Sequence, residues 1–457
     1  MKRIFSILLL SLIVLGCATY DMDIPGTPMQ HFVRATFASR FDAAMSVRRT
    51  DDMLVAGVAE VDIMPYDRKV WVAGFGPGRK SRGVISPITA RIVYLDDGRE
   101  AVVLIALDVV GLMNPDVNKL RALITEKYPR RVQVFATHNH EGPDTMGYWG
   151  PGFLIPVDRG VDDDWMNKAL QSIALAVNDA VDRAQPAKIA FGYSEVEPGW
   201  STNLWFPEGQ GPIDRWMGVI RLEKQNGEAL ATIVNWACHA ETLLDQHRLS
   251  GDFPGYFYES CHARGGGMGM LLQGSLGGMI TGLPNRWELR SQYRQTEKRV
   301  AWAKQLGEHL ALIANEAVDG APRLSQAPIR LQTADLEVPM HNFLFRVAVD
   351  NGILRVGDRN THDRVFQTEV STLDLGPATF AMLPGEPFPS LGKLLKAAMP
   401  WAKPPFVVGL ANDELAYMMT PEEWEDDHYG YERSVSCGPQ TGQLVIDALL
   451  ALLQRGR

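Results

Sequence analysis

Cysteine is scarce in this chain. Four occur among 457 residues, at positions 17, 238, 261 and 437, and no two are spaced Cys-x-x-Cys. That spacing argues against a thiolate zinc cage, and the odd number left beyond Cys17 does not suggest a disulfide framework. Positive charge is also in deficit: 45 lysines and arginines face 54 aspartates and glutamates, a formal net charge of −9. With no basic surplus to neutralise phosphates, no nucleic-acid partner is expected. Long apolar runs are missing too. Residues 4–15 form an unbroken apolar-rich stretch, short of the ~20 residues that cross a bilayer. There is no internal repeat, no low-complexity segment and no Ser- or Pro-rich linker after Val55. What is present, 46% hydrophobic and 22% charged residues, is the composition of a globular domain.

The N-terminus reads as a targeting signal. Lys2 and Arg3 precede the apolar stretch, which ends in Val14-Leu15-Gly16-Cys17. A small residue followed by cysteine at that place resembles a bacterial lipoprotein cleavage box. The expected organisation is therefore a signal peptide over 1–16, a lipidated Cys17 with a tether over 17–50, and one catalytic domain over 51–457. Such a protein is exported and held to a membrane through Cys17. Ala18, rather than Asp, follows the cysteine and suits the outer membrane, facing the periplasm.

Within the domain, apolar runs alternate with helical patterns. The predicted fold class is α/β, with mixed, largely buried sheets, flanking helices and a metal site at the strand ends. Residues 163–184, 295–317 and 442–453 repeat apolar side chains at helical spacing. Five strand-like runs end in chemically loaded residues. Run 132–135 leads to His138 and His140, 230–234 to His239, and 268–272 to Gln273 and a glycine-rich loop. Run 378–383 leads to Glu386, and 406–410 leads to Glu414 and Tyr417. If these strands shared one parallel sheet, all five endings would emerge on one edge, where open α/β sheets bind ligands. Two histidines and a carboxylate make an open zinc site with room for water or substrate. Trp149, Trp205 and Trp236 lie close in sequence to these endings and offer flat surfaces to lipid chains or sugar rings.

The ordered set THNHEGPDT, NWACHAET, LPGEPF and ANDELAYMMTPEEWE, preceded by GVAEVDIMP, GFG and ISPITARIVYLDDG, resembles the neutral/alkaline ceramidase family. The match runs from about Val55 to Pro439. The resemblance implies one Zn2+ held by His138, His239, Glu386 and Tyr417, with Glu414 replacing a tyrosine that is not a ligand. It implies that His140 acts at the substrate amide or in proton transfer. It also implies that a further tyrosine assists near the metal, either Tyr429 or Tyr431.

Three departures accompany the resemblance. Ile280 stands where the family carries a serine, and an alkyl group cannot serve as nucleophile or acid–base group. Asn203-Leu204 replaces an Asn-Arg pair. The family's additional β-sandwich domain is expected to be absent, since the chain stops at Arg457. The function expected is a zinc-dependent hydrolase of an amide bond in an N-acyl, ceramide-like lipid. The alternatives are the same chemistry on a glycan, ester or lactone, and a surface lipoprotein that binds lipid or glycan without catalysis.

Overall fold

The computed structural model describes residues 40–455 except 48, 50, 153–155, 208, 245–246, 284–295 and 358–363. The signal segment and Cys17 lie outside the described residues. The tether expected over 17–50 is described only near its end. There residues 40–46 are helical and Phe41 is fully buried against Tyr94, 6.2 Å between ring centroids, so this end packs on the domain.

Two sheets stack face to face. The larger contains β1 (Val55–Asp62), β2 (Thr89–Asp96), β3 (Ala101–Leu107), β4 (Val132–Ala136), β5 (Gln185–Glu195), β6 (Trp216–Lys224), β7 (Ala229–Trp236) and β8 (Met268–Gln273). Its order is β8-β7-β6-β5-β1-β2-β3-β4, with β3 parallel to β4 and β7 parallel to β8. The smaller contains β9 (Ile329–Pro339), β10 (Val365–Leu375), β11 (Ala378–Met382) and β12 (Pro405–Val408), in that order, with β11 parallel to β12. The five runs with loaded ends thus do not share one sheet. Three lie in the larger sheet and two in the smaller, because β9 and β10 form a long antiparallel pair that starts a second layer.

The strand runs are mostly apolar because both faces are covered; the polar Gln133 in β4 is buried with its amide donating to Arg130 O and accepting from Asn412 Nδ2, each at 2.8 Å. β3 and β4 are buried at every residue. Between the sheets, Phe135, Ile189, Met382 and Val408 share one core with Phe380 and Phe406, whose rings stack 4.3 Å apart. Gly218 makes that stack possible, since a Cβ there would come within 2.6 Å of the Phe406 ring. Outside the larger sheet lie α1 (Asn114–Ile124), α2 (Asp163–Asp182), α3 (Asp252–Ala263) and α4 (Thr296–Val318). Outside the smaller lie α5 (Phe343–Asp350), α6 (Pro389–Ala397) and α7 (Thr441–Arg455). The result is a four-layer αββα stack. α2 shows why such helices form: Asp162 caps it by accepting from Trp165 N at 3.0 Å. Its Trp165, Leu170, Ile173 and Val177 then bury one stripe, each worth about 1.5–3 kcal/mol of apolar burial. No described helix is long and apolar enough to cross a membrane.

The sheets are joined where the site forms. Beyond β12 the chain bends back along the edge of β4, with Ala136 N donating to Leu410 O at 3.2 Å and Asn412 N to Val134 O at 2.7 Å. The endings of both sheets therefore meet at one place, from facing layers.

Candidate functional site

Each site residue is set by backbone bonds beyond a strand end. After β4 the chain turns through His138, whose φ of 58° is left-handed. Six more non-glycine residues with positive φ border the same loops, namely Leu244, Asp252, Met279, Leu410, Asn412 and Ala416. Backbone conformations of this kind cost of order 1–3 kcal/mol each and cluster at functional sites. The loop after β4 is tied to the loop after β7 by His140 N donating to Ala240 O at 2.9 Å. Gln273, at the end of β8, fastens both. Its Nε2 donates to Thr137 O at 2.7 Å and Cys238 O at 2.6 Å, and its Oε1 accepts from Cys238 N at 3.2 Å. From the smaller sheet, Glu386 and Tyr417 arrive as register partners of a two-residue parallel ladder.

The imidazoles of His138 and His239 are oriented in the same way. His138 Nδ1 donates to Val110 O at 2.7 Å, and His239 Nδ1 donates to Ile280 O at 2.8 Å. A carbonyl can only accept, so Nδ1 carries the proton in both rings and the Nε2 lone pairs are free. Both Nε2 atoms face one carboxylate oxygen, Glu386 Oε2, at 3.4 and 3.2 Å. That oxygen is buried and accepts no hydrogen bond among the described residues. Tyr417 Oη lies 3.5 Å from His239 Nε2. His138, His140 and His239 have potential ligand atoms within 4.8 Å of one another, all buried. Two imidazole nitrogens, each held from behind, lie close to a carboxylate oxygen and a phenol oxygen, and by donor type this set fits a zinc ion.

Burial sets the protonation states. It depresses His138 to about 4, against the opposing attraction of Glu386. It lowers His239, and it lowers His140 strongly, helped by the other two histidines and Arg79. All three rings are therefore neutral at pH 7, the form that binds metal. Burial also raises Glu386, countered by His138 and a hydrogen bond from Tyr417. Neutral histidines facing a desolvated carboxylate are short of positive charge, which a cation between them would supply.

His140 differs from its neighbours. Neither ring nitrogen has a hydrogen-bond partner among the described residues, and Nδ1 stands 3.5 Å from Glu241 Oε2. Phe75 packs edge-on to the ring at 5.2 Å. The two tyrosines also part company. Tyr431 is half-exposed with its ring 6.1 Å from that of Tyr417, and partial burial with the nearby Glu386 charge pushes its hydroxyl up to about 12. Tyr429 is buried against Phe388 at 4.8 Å, and its hydroxyl is raised by burial and then by Glu423 and Asp426, not by Glu386.

Ile280 is fully buried, and its backbone rather than its side chain serves the site. Its carbonyl accepts from both His239 N and His239 Nδ1, each at 2.8 Å. Leu204 N donates to Met279 O at 3.3 Å, so the 203–205 segment lies over this loop. Trp236 is core, edge-on to Phe253, whereas Trp205 is 39% exposed. Cys238, Cys261 and Cys437 are buried free thiols.

Four residues here were not assigned from the sequence. Glu241 and Gly74 sit inside the NWACHAET and GFG motifs, and a polar residue closing an apolar strand was the available signal for Gln273. Glu432 carried none. Gly74 has φ +98°, and a Cβ there would come within 2.4 Å of the His140 ring.

No protein-family model and no curated protein matches this sequence. Solved structures do. The neutral ceramidase from Pseudomonas aeruginosa superposes with a TM-score of 0.68 at 20% identity, over 89% of this chain and 75% of that one. A ceramidase complexed with C2 superposes with a TM-score of 0.68 at 18% identity, over 89% and 76%. The chain therefore has the fold of these ceramidases, with a buried histidine cluster able to hold a metal ion.

Proposed function

We propose that the protein is a zinc-dependent hydrolase that cleaves the amide bond of an N-acyl compound, in the manner of a ceramidase. The observation that carries this reading is the pair of Nδ1-anchored histidines, His138 and His239, with both Nε2 atoms aimed at Glu386 Oε2. His138, His239, Glu386 and Tyr417 would hold the ion. Zinc there supplies Lewis acidity, polarising an acyl carbonyl and making water more acidic.

The remaining chemistry falls to the chain's own side chains. His140 is neutral, with a ring nitrogen open to the site, so it can accept a proton as water attacks and return it to the departing amine. Glu241, beside His140 Nδ1, steadies the imidazolium formed in between. Tyr431 keeps its proton at neutral pH and can donate it in a hydrogen bond to the developing oxyanion. The alkyl side chain at 280 leaves water, not a serine, as the nucleophile.

His138→Ala is expected to abolish stoichiometric zinc and turnover of N-acetylsphingosine together; retention of both would sink the assignment. Tyr431→Phe should lower kcat about 10²–10³-fold, and Tyr429→Phe should leave it within a few-fold, measured side by side. The departures at Ile280 and Leu204 favour a second reading, the same chemistry on another substrate such as a glycan, ester or lactone. We also propose export and membrane attachment through Cys17, as the N-terminal sequence suggests; radiolabelled palmitate should enter the wild type and not Cys17→Ser.

A further inference from the structure

The mouth of the site carries a carboxyl that the hydrolytic chemistry does not use. Glu432 is fully buried, one residue after Tyr431. Its Oε1 accepts from Trp205 Nε1 at 2.5 Å, while its Oε2 has no partner among the described residues. A buried carboxyl oxygen with nothing to accept from is left desolvated and unpaired, a deficit that a ligand can remove. The same hydrogen bond fixes the plane of the Trp205 indole, which remains 39% exposed. This pair is anchored to the reacting centre on both sides. Leu204 N is bonded to Met279 O, and Met279 Sδ lies 3.4 Å from Tyr417 Oη. Tyr431, next to Glu432, faces Tyr417. Phe206 and His428 stack 4.9 Å apart beside them.

We propose that Trp205 and Glu432 form a subsite for a hydroxylated ring on the amine side of the scissile amide, so that the substrate is an N-acylated amino sugar. Building on the hydrolase reading above, the indole takes the C–H face of the ring and Glu432 Oε2 accepts from a ring hydroxyl. An exposed flat aromatic face beside a buried acceptor suits such a ring. An alkyl chain would leave the acceptor unpaired. Electrostatics agree: burial raises Glu432 and the Glu386 charge adds to it, so a neutral hydroxyl is a better partner there than an anion.

The test compares N-acetylglucosamine with N-acetylcyclohexylamine, which keeps a six-membered ring and the amide but lacks the hydroxyls and the ring oxygen, on the zinc-loaded full chain. The wild type should favour the sugar by at least about 10²-fold in kcat/KM, because an unpaired buried acceptor rejects the analogue. Glu432→Gln, which puts an N–H₂ donor where Oε2 stands, should reduce that preference to below about 10-fold. A wild-type preference under about threefold, or one unchanged by E432Q, overturns the proposal. So does cleavage of N-acetylsphingosine with neither small amide accepted, which would leave the hydrolase reading standing. Binding is read separately by quenching of tryptophan fluorescence. Saturable quenching by N-acetylglucosamine that is lost in E432Q supports the subsite even if nothing is hydrolysed, a result that would instead remove the hydrolase reading. No quenching and no turnover of the sugar overturns the subsite.

Discussion

Gln273→Met tests whether the metal-type ligands depend on a staple that touches none of them. The substitution keeps the length of the side chain and removes its polar atoms. Three bonds are lost, to Thr137 O, Cys238 O and Cys238 N, all from a fully buried side chain. Each buried backbone group left without a partner costs about 1–3 kcal/mol, so the loss is between about 3 and 9 kcal/mol before relaxation. Against a typical total of roughly 5–15 kcal/mol, even the lower figure is a large share. The consequence is local as well as global. Thr137 precedes His138 and Cys238 precedes His239, so loosening either carbonyl frees the loop that aims an Nε2 atom. Supporting groups of this kind typically govern metal affinity by 10–100-fold. The assays are the urea midpoint of the metal-free protein and zinc affinity by competition with a chelator. The reasoning is refuted if Gln273→Met unfolds within 1 kcal/mol of the wild type and binds zinc within threefold of its affinity.

Other consequences follow from the same geometry. Gly74→Ala should disable His140 while sparing the metal set, since the new methyl falls 2.4 Å from the His140 ring at a backbone φ of +98°; zinc content should stay near one per chain while kcat drops at least about tenfold. The metal-free protein should lose stability on mild acidification. His138 titrates near 4 when folded and 6.5 when unfolded, so the unfolded chain binds more protons between those values. Its contribution is intact above pH 6.5 and falls towards pH 4, by on the order of 3 kcal/mol in full. Urea midpoints at pH 7.5 and 5 measure it, and equal midpoints would contradict the neutral, buried state of this ring.

Much of the architecture is readable from residue patterns. Apolar-rich runs such as 101–107 and 132–136 announce strands covered on both faces, because neither shows the alternating polar face of a half-exposed strand; the one polar residue, Gln133, is buried and hydrogen-bonded to Arg130 and Asn412. The helical stripe of Trp165, Leu170, Ile173 and Val177 is equally plain. What these patterns lack is partner information. A run that is buried on both faces looks the same in either sheet; 378–383 follows β10 through the two-residue 376–377 turn and 406–410 pairs with 378–383, so their layer is settled by where the antiparallel pair of β9 and β10 packs.

The site divides along the same line. Chemistry-bearing residue types at strand ends, His138, His140, His239, Glu386 and Tyr417, are a property of the sequence, since any fold that ends those strands together presents them. Which nitrogen each imidazole offers is decided by Val110 O and Ile280 O, carbonyls without a sequence signature. Which tyrosine neighbours Tyr417 is decided by how the short helical segments around 427–434 pack, with Tyr429 turned into Phe388 and Tyr431 turned outward. Ile280 reads as a lost side chain in the sequence and proves to be a backbone contribution in the fold. Residue identity supplies the reactive groups. Their protonation, tautomer and aim come from burial and backbone hydrogen bonds, which exist only once distant segments are packed together.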